Sequence, residues 1–281
     1  LEQMQAAKRQ GLWVAVEQMI APRAVVENIL AEEMRRFPEW AGPVQTNPHA
    51  EAFAARERAE WALADRIVCP SEFVHDHVVA EGVPAERCVV VPYGVDATDH
   101  SSARVRAPGP LRILTIGEVG LRKGSPYVLQ AAERLGAAVR MRMAGPDRLP
   151  EPVRRRLSRS IELRGIVPRA AIADEYRWAD VFLLPSLCEG SATVVYEALA
   201  CGLPVITTYS TGSVVRDGVE GLIVPERDPQ AIVDAVRYFA DNEDVRATMA
   251  ANARLRAKEY TVEQYGARLL GVLSSLNGST A

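Results

Sequence analysis

The stretch from Val181 to Gly202 limits the possible folds of this chain more than any other. Its apolar start, Val181-Phe182-Leu183-Leu184, shows no alternation and reads as a strand buried on both faces. A turn of small and polar residues, Glu189-Gly190-Ser191, follows. Thr193 to Ala200 then has helical character, stopped by Gly202. A doubly buried strand that feeds a helix belongs to a parallel sheet with helices on both faces. In such sheets ligands sit beyond the carboxyl ends of the strands. The first turn of the next helix also offers free N–H groups to an anion. Glu189 falls on that loop and Glu197 about two turns down the helix. The arrangement suits a ligand with phosphates at the helix start and hydroxyls on the carboxylates.

The rest of the chain repeats the alternation. Strands are expected at 12–16, 66–70, 88–92, 111–116, 139–144, 161–164, 181–185, 203–208 and 221–225, with helices between them. Asp96 to Pro110, with its Ser, Ala, Pro and Gly, reads as a linker. The expected organisation is a first Rossmann-like unit over 1–97, a linker over 98–110, a second unit over 111–260 and a final helix over 261–281. The fold class is α/β with doubly wound parallel sheets.

Bulk properties narrow the function. With 281 residues, 48% hydrophobic and 25% charged, the chain can build a sizeable core. A net charge of −3 argues against nucleic acid as a partner. The cysteines, Cys69, Cys88, Cys188 and Cys201, have no metal-ligand spacing, which favours reduced thiols and a cytoplasmic setting. No run reaches the length of a membrane span. Arg154-Arg155-Arg156 with Arg159 reads first as an exposed helix face, and second as a contact for anionic lipid at the inner face of a membrane. His75 and His77 point to different faces of one helix and read as structural.

Several segments together carry a family resemblance. Glu189 to Glu197 resembles the Glu-x7-Glu motif of retaining, GT-B-type glycosyltransferases, in particular glycosyltransferase family 4. Ala64-Asp65-Arg66-Ile67-Val68-Cys69-Pro70-Ser71 resembles a stretch near the end of that family's first domain. Val91-Pro92-Tyr93-Gly94-Val95-Asp96 resembles its interdomain segment. Ile116-Gly117-Glu118-Val119-Gly120-Leu121-Arg122-Lys123-Gly124 resembles its phosphate-binding loop, and Arg216-Asp217-Gly218-Val219-Glu220-Gly221 its Asp-Gly turn. Their order along the chain makes coincidence improbable.

The resemblance implies two Rossmann-like units of the GT-B type, the first incomplete in an N-terminally truncated chain. It implies transfer of a sugar from a nucleotide-diphosphate sugar to an acceptor hydroxyl, with retention, in glycan or cell-envelope polysaccharide synthesis. The acceptor would be a glycan or a lipid-linked sugar. Glu189, Lys123 and Arg122 become the candidate catalytic residues. Lys123 and Arg122 would stabilise the departing diphosphate, where fixed cations act most in the transition state. Glu197 would accept hydrogen bonds from the ribose hydroxyls. Gly117 would let backbone approach the donor, and the N–H groups around Gly190, Ser191 and Ala192 would face the diphosphate. Gly165, Ile166 and Val167 would lie beside the base. The nucleotide sugar is a substrate, so no cofactor is implied, and no metal ligands are expected.

Three positions depart from the family pattern. Tyr93 stands for Asn, Ser213 for Glu, and Glu17 for a His that many relatives carry. The Glu17 and Ser213 departures, with the truncation, keep open a nucleotide-sugar-binding or interaction module without catalysis. A third reading is a GT-B sugar epimerase, against which the ordered Asp65, Gly94-Val95-Asp96, Lys123 and Glu-x7-Glu elements favour the transferase.

Overall fold

The protein is described here as a computed structural model covering residues 1–40, 49–96 and 109–277. The first unit holds helices α1 (Glu2–Arg9), α2 (Arg23–Arg36), α3 (Ala50–Leu63) and α4 (Glu72–Ala80). Its strands are β1 (Ala15–Glu17), β2 (Arg66–Cys69) and β3 (Cys88–Val90), paired in parallel in that order. Ser71 caps α4, its Oγ accepting the Val74 N–H at 3.3 Å. Strand β1 begins three residues later than its apolar run suggests. Leu12 and Trp13 are exposed, and pairing starts only where Ala15 meets Arg66. Val14 is held instead by its N–H on Asp65 Oδ2 at 2.8 Å.

The second unit runs through β4 (Leu111–Ile116), α5 (Ser125–Leu135), β5 (Val139–Ala144), α6 (Glu151–Leu157) and β6 (Glu162–Gly165). It continues through α7 (Arg169–Trp178), β7 (Val181–Leu184), α8 (Thr193–Ala200), β8 (Val205–Thr207), β9 (Gly221–Ile223), α9 (Pro229–Asp241) and α10 (Glu243–Lys258). Strand order is β6-β5-β4-β7-β8-β9, all parallel. In chain order this is 3-2-1-4-5-6, the doubly wound arrangement, with its reversal between β4 and β7. Val181, Phe182, Leu183 and Leu184 are fully buried, as the unbroken apolar run requires. Each such side chain stabilises by about 1.5–3 kcal/mol relative to exposure.

Helix α11 (Val262–Asn277) turns back to the first unit, where Arg268 Nη2 donates to Pro92 O at 3.2 Å. The chain crosses between units beside this turn. Val95 N–H donates to Tyr260 O at 2.9 Å, and a Cβ on Gly94 would lie 2.4 Å from Thr261 O. The linker expected at 98–110 lies outside the described residues except for Gly109 and Pro110. No helix among the described residues is long and apolar enough to cross a membrane. Helix α2 and the turn after it serve both units. Val26 packs in the core of the first, whereas Trp40 belongs to the core of the second.

Candidate active site

The reversal point between β4 and β7 places two loops side by side at the carboxyl edge of the larger sheet. The loop after β4 leaves through Gly117, whose φ of +135° suits glycine. Gly124 closes it in the left-handed region and packs against the exit of β7, since a Cβ there would sit 2.2 Å from Pro185 O. Leu187 N–H donates to Arg122 O at 2.9 Å, fastening the loops together.

Glu189 receives both cations of the facing loop. Lys123 Nζ stands 2.6 Å from its Oε1 and Arg122 Nη1 2.7 Å from its Oε2. The carboxylate and the ammonium are each about one-tenth exposed, so this charge cluster is poorly screened. Arg122 Nη1 also donates to Cys188 O at 2.9 Å. Gly117 leaves room for the lysine: a Cβ on it would lie 3.1 Å from Lys123 Cε.

Gly190 sits where the loops after β1 and β2 of the first unit meet the loop after β7 of the second. Ser71 Oγ, at the exit of β2, donates to Gly190 O at 2.5 Å. A Cβ on Gly190 would lie 1.8 Å from Met19 O, two residues past β1. Of the N–H groups expected to face a diphosphate, that of Ala192 is turned inward, donating to Thr211 O at 3.3 Å. The reason is the turn at 209–211, which packs under the loop and also takes the Glu189 N–H on Ser210 O at 2.9 Å. Gly190 and Ser191 donate to no backbone acceptor among the described residues. The Ser191 hydroxyl is committed to the protein, donating to Gly212 O at 2.8 Å and lying 2.6 Å from Tyr196 Oη.

Glu197 lies further along α8 and has a partner that the motif did not reveal. The Tyr176 hydroxyl donates to Glu197 Oε2 at 2.6 Å. Burial, and then the adjacent Glu197 charge, drive the Tyr176 pKa well above its usual value, so it stays a donor. Arg169 Nη1 lies 3.8 Å from Glu197 Oε1. Arg169 opens the helix that follows the segment expected beside the base. There Gly165 adopts φ +62°, its carbonyl takes the Gly145 N–H at 2.8 Å, Ile166 is 77% exposed and Val167 is half-buried. Ile166 thus leaves an exposed apolar side chain three residues before the arginine that approaches Glu197.

Two departures from the family pattern meet at one residue. Tyr265 Oη donates to Glu17 Oε1 at 3.1 Å, and its ring lies edge-on to Tyr93 at 6.0 Å. Burial and the Glu17 charge push the Tyr93 hydroxyl up to about 12. The third, Ser213, lines an interdomain cleft of about 310 Å³ with Ser71, Phe73, Tyr209 and Tyr260. The arginines of α6 are answered locally: Arg154 by Asp147, Arg155 by Glu151 and Arg156 by Glu133. His77 bonds Phe73 O, while His75 gathers with Glu72 and Asp76, the set among the described residues that could hold a cation.

Comparison with known proteins matches this architecture. Residues 110–242 fit the family model of glycosyl transferases group 1, and residues 36–99 that of glycosyltransferase family 4. The D-inositol 3-phosphate glycosyltransferase of Xylanimonas cellulosilytica is 30% identical over 94% of this chain and 68% of its own length. The chain belongs to the group 1 glycosyltransferases. Another relative in this family is the amylovoran biosynthesis glycosyltransferase AmsK of Erwinia amylovora, 27% identical over 82% of this chain and 63% of its own length. Among solved structures, Anabaena HepE in complex with UDP and glucose superposes with a TM-score of 0.72 at 18% identity, covering 97% of this chain and 74% of HepE. The fold is therefore GT-B.

Proposed function

We propose that this glycosyltransferase moves a sugar, with retention of configuration, from a nucleoside-diphosphate sugar to an acceptor hydroxyl in glycan or exopolysaccharide synthesis. The observation that carries the reading is the Lys123–Glu189–Arg122 cluster at the reversal point of the second sheet. Lys123 and Arg122 bind the diphosphate and stabilise the charge that gathers on it as the glycosidic bond breaks. These fixed cations supply the positive charge, so the reaction needs no metal ion. Gly117 and the N–H groups of Gly190 and Ser191 border the same phosphates. Glu197, oriented by Tyr176, accepts the ribose hydroxyls. Gly165, Ile166 and Val167 form the wall beside the base. Once the diphosphate occupies the cations, Glu189 is released to the sugar.

The complex of HepE with UDP supports a uridine nucleotide as the first donor to test. AmsK, named for amylovoran biosynthesis, supports a role in glycan synthesis, and the acceptor proposed is a glycan or lipid-linked sugar. Acceptor contacts belong to the first unit, where Glu17 accepts the Tyr265 hydroxyl. Cys69, Cys88 and Cys188 form no disulfide among the described residues, which supports a cytoplasmic site of action. The domain reading remains residues 1–97, 98–110, 111–260 and 261–281. The test is release of UDP from UDP-sugars. Lys123→Ala should lower turnover about 10²–10³-fold, as loss of a transition-state charge partner does. Equal turnover in wild type and Lys123→Ala would reject the assignment.

A further inference from the structure

A buried carboxylate remote from the proposed chemistry ties the two units together. Glu33, in α2, has no exposed surface. Its Oε2 accepts the Tyr127 hydroxyl at 2.7 Å and its Oε1 accepts Arg227 Nε at 2.7 Å. Tyr127 lies in the first turn of α5, four residues after Lys123. Arg227 lies between β9 and α9 and also reaches Glu32 Oε2 at 3.2 Å. It is the one non-glycine among the described residues with a left-handed backbone, φ +59°. That conformation is uncommon for a side-chain-bearing residue and needs surrounding contacts to hold it.

The apolar part of this contact does not fix an orientation alone. Ile29, Phe37 and Trp40 pack against the core of the second unit, and Phe37 meets Tyr127 edge-on at 5.3 Å. Apolar contact is non-directional and tolerates sliding. A buried carboxylate does not, because any other register strips it of Tyr127 and Arg227 and leaves only Arg36 of its own helix, at 4.0 Å. We propose that Glu33 is a positioning residue: its pairing with Tyr127 and Arg227 sets the register of the first unit on the second. That register brings the loop between β1 and α2, with Met19, onto Gly190. Glu33 acts through these elements and touches no proposed substrate atom.

The experiment is a distance measurement between spin labels at Glu81→Cys and Arg237→Cys, exposed positions on the two units, in a Cys88→Ser background. The parent should give one narrow distribution. Glu33→Met removes the charge at similar size. It should melt lower, as loss of one partner of a buried pair implies, and give a distribution at least about twofold wider. UDP affinity, which depends on the second unit, should change less than about twofold. A folded Glu33→Met with the parent's width overturns the proposal, as does a UDP affinity that falls together with the melting temperature. Should Glu33→Met not fold, Tyr127→Phe with Arg227→Lys decides by the same criterion. The distance readout does not depend on the donor reading, so failure of UDP to bind would leave it standing.

Discussion

Lys123 and Glu189 stand 2.6 Å apart across the reversal point of the second sheet, ammonium against carboxylate. Arg122 closes on the other oxygen of the same carboxylate at 2.7 Å. Glu189 thus occupies the cations that a diphosphate would need. Binding must exchange one anion for another. Glu189→Gln should therefore bind UDP about tenfold more tightly, a difference of about 1.4 kcal/mol. The same variant should lose turnover by about 10²-fold or more. Unchanged or weaker UDP binding in this variant would contradict the exchange.

Tyr176 should matter through Glu197. Tyr176→Phe removes the hydroxyl's bonds to Glu197 Oε2 and Val194 O and should cost about 1 kcal/mol of stability. If Glu197 holds the ribose, the variant should also lose several-fold in UDP affinity while its affinity for 2′-deoxy-UDP hardly moves. Equal losses for both nucleotides would mean that the tyrosine supports the fold alone. A double-mutant cycle with Glu197→Gln measures the coupling.

Much of this was legible beforehand because the elements obey short-range rules. Helices at 72–80 and 125–135 and strands at 111–116 and 139–144 fall where period, caps and glycines put them. Glu189, Lys123 and Arg122 converge because strand order brings their loops together, which supports reading them as one site. Tyr176 was not legible: it lies 21 residues from Glu197 and its contact depends on how α7 packs. Trp40 was hidden likewise, since a mixed polar and apolar helix does not announce that it serves two cores. The Ala192 N–H was expected to be free, but a neighbouring turn captures it. Local sequence gives the direction of a chain, whereas such partners are set by tertiary contact.

Gly190→Ala tests the approach of the two sheets. Its Cβ would lie 1.8 Å from Met19 O, a backbone atom that cannot rotate away. Overpacking of this kind costs about 1–3 kcal/mol. The variant should melt lower and lose turnover by more than its stability loss explains. Gly120→Ala is the control, because a Cβ there meets nothing within 4 Å. Equal behaviour of the two variants would remove the argument.

Stability should fall on the alkaline side. Burial pushes the Cys69 and Cys188 thiols up to about 12. Their folded-state values thus exceed the unfolded ones, near 9, so the fold favours the protonated thiols. The contribution is intact below pH about 9 and is lost as pH rises toward 12. Melting temperature should be flat from pH 7 to about 9 and then drop, and Cys188→Ala should soften that drop. A drop of equal size in Cys188→Ala would show that this thiol takes no part.

The central claim is that Lys123 and Glu197 belong to one nucleotide-sugar site. It is tested most directly by calorimetric titration with UDP, GDP and ADP of the wild type, Lys123→Ala and Glu197→Ala. Selective binding of one nucleotide, weakened about tenfold or more in each variant, is the predicted result. Nucleotide binding of undiminished affinity in both folded variants would contradict it.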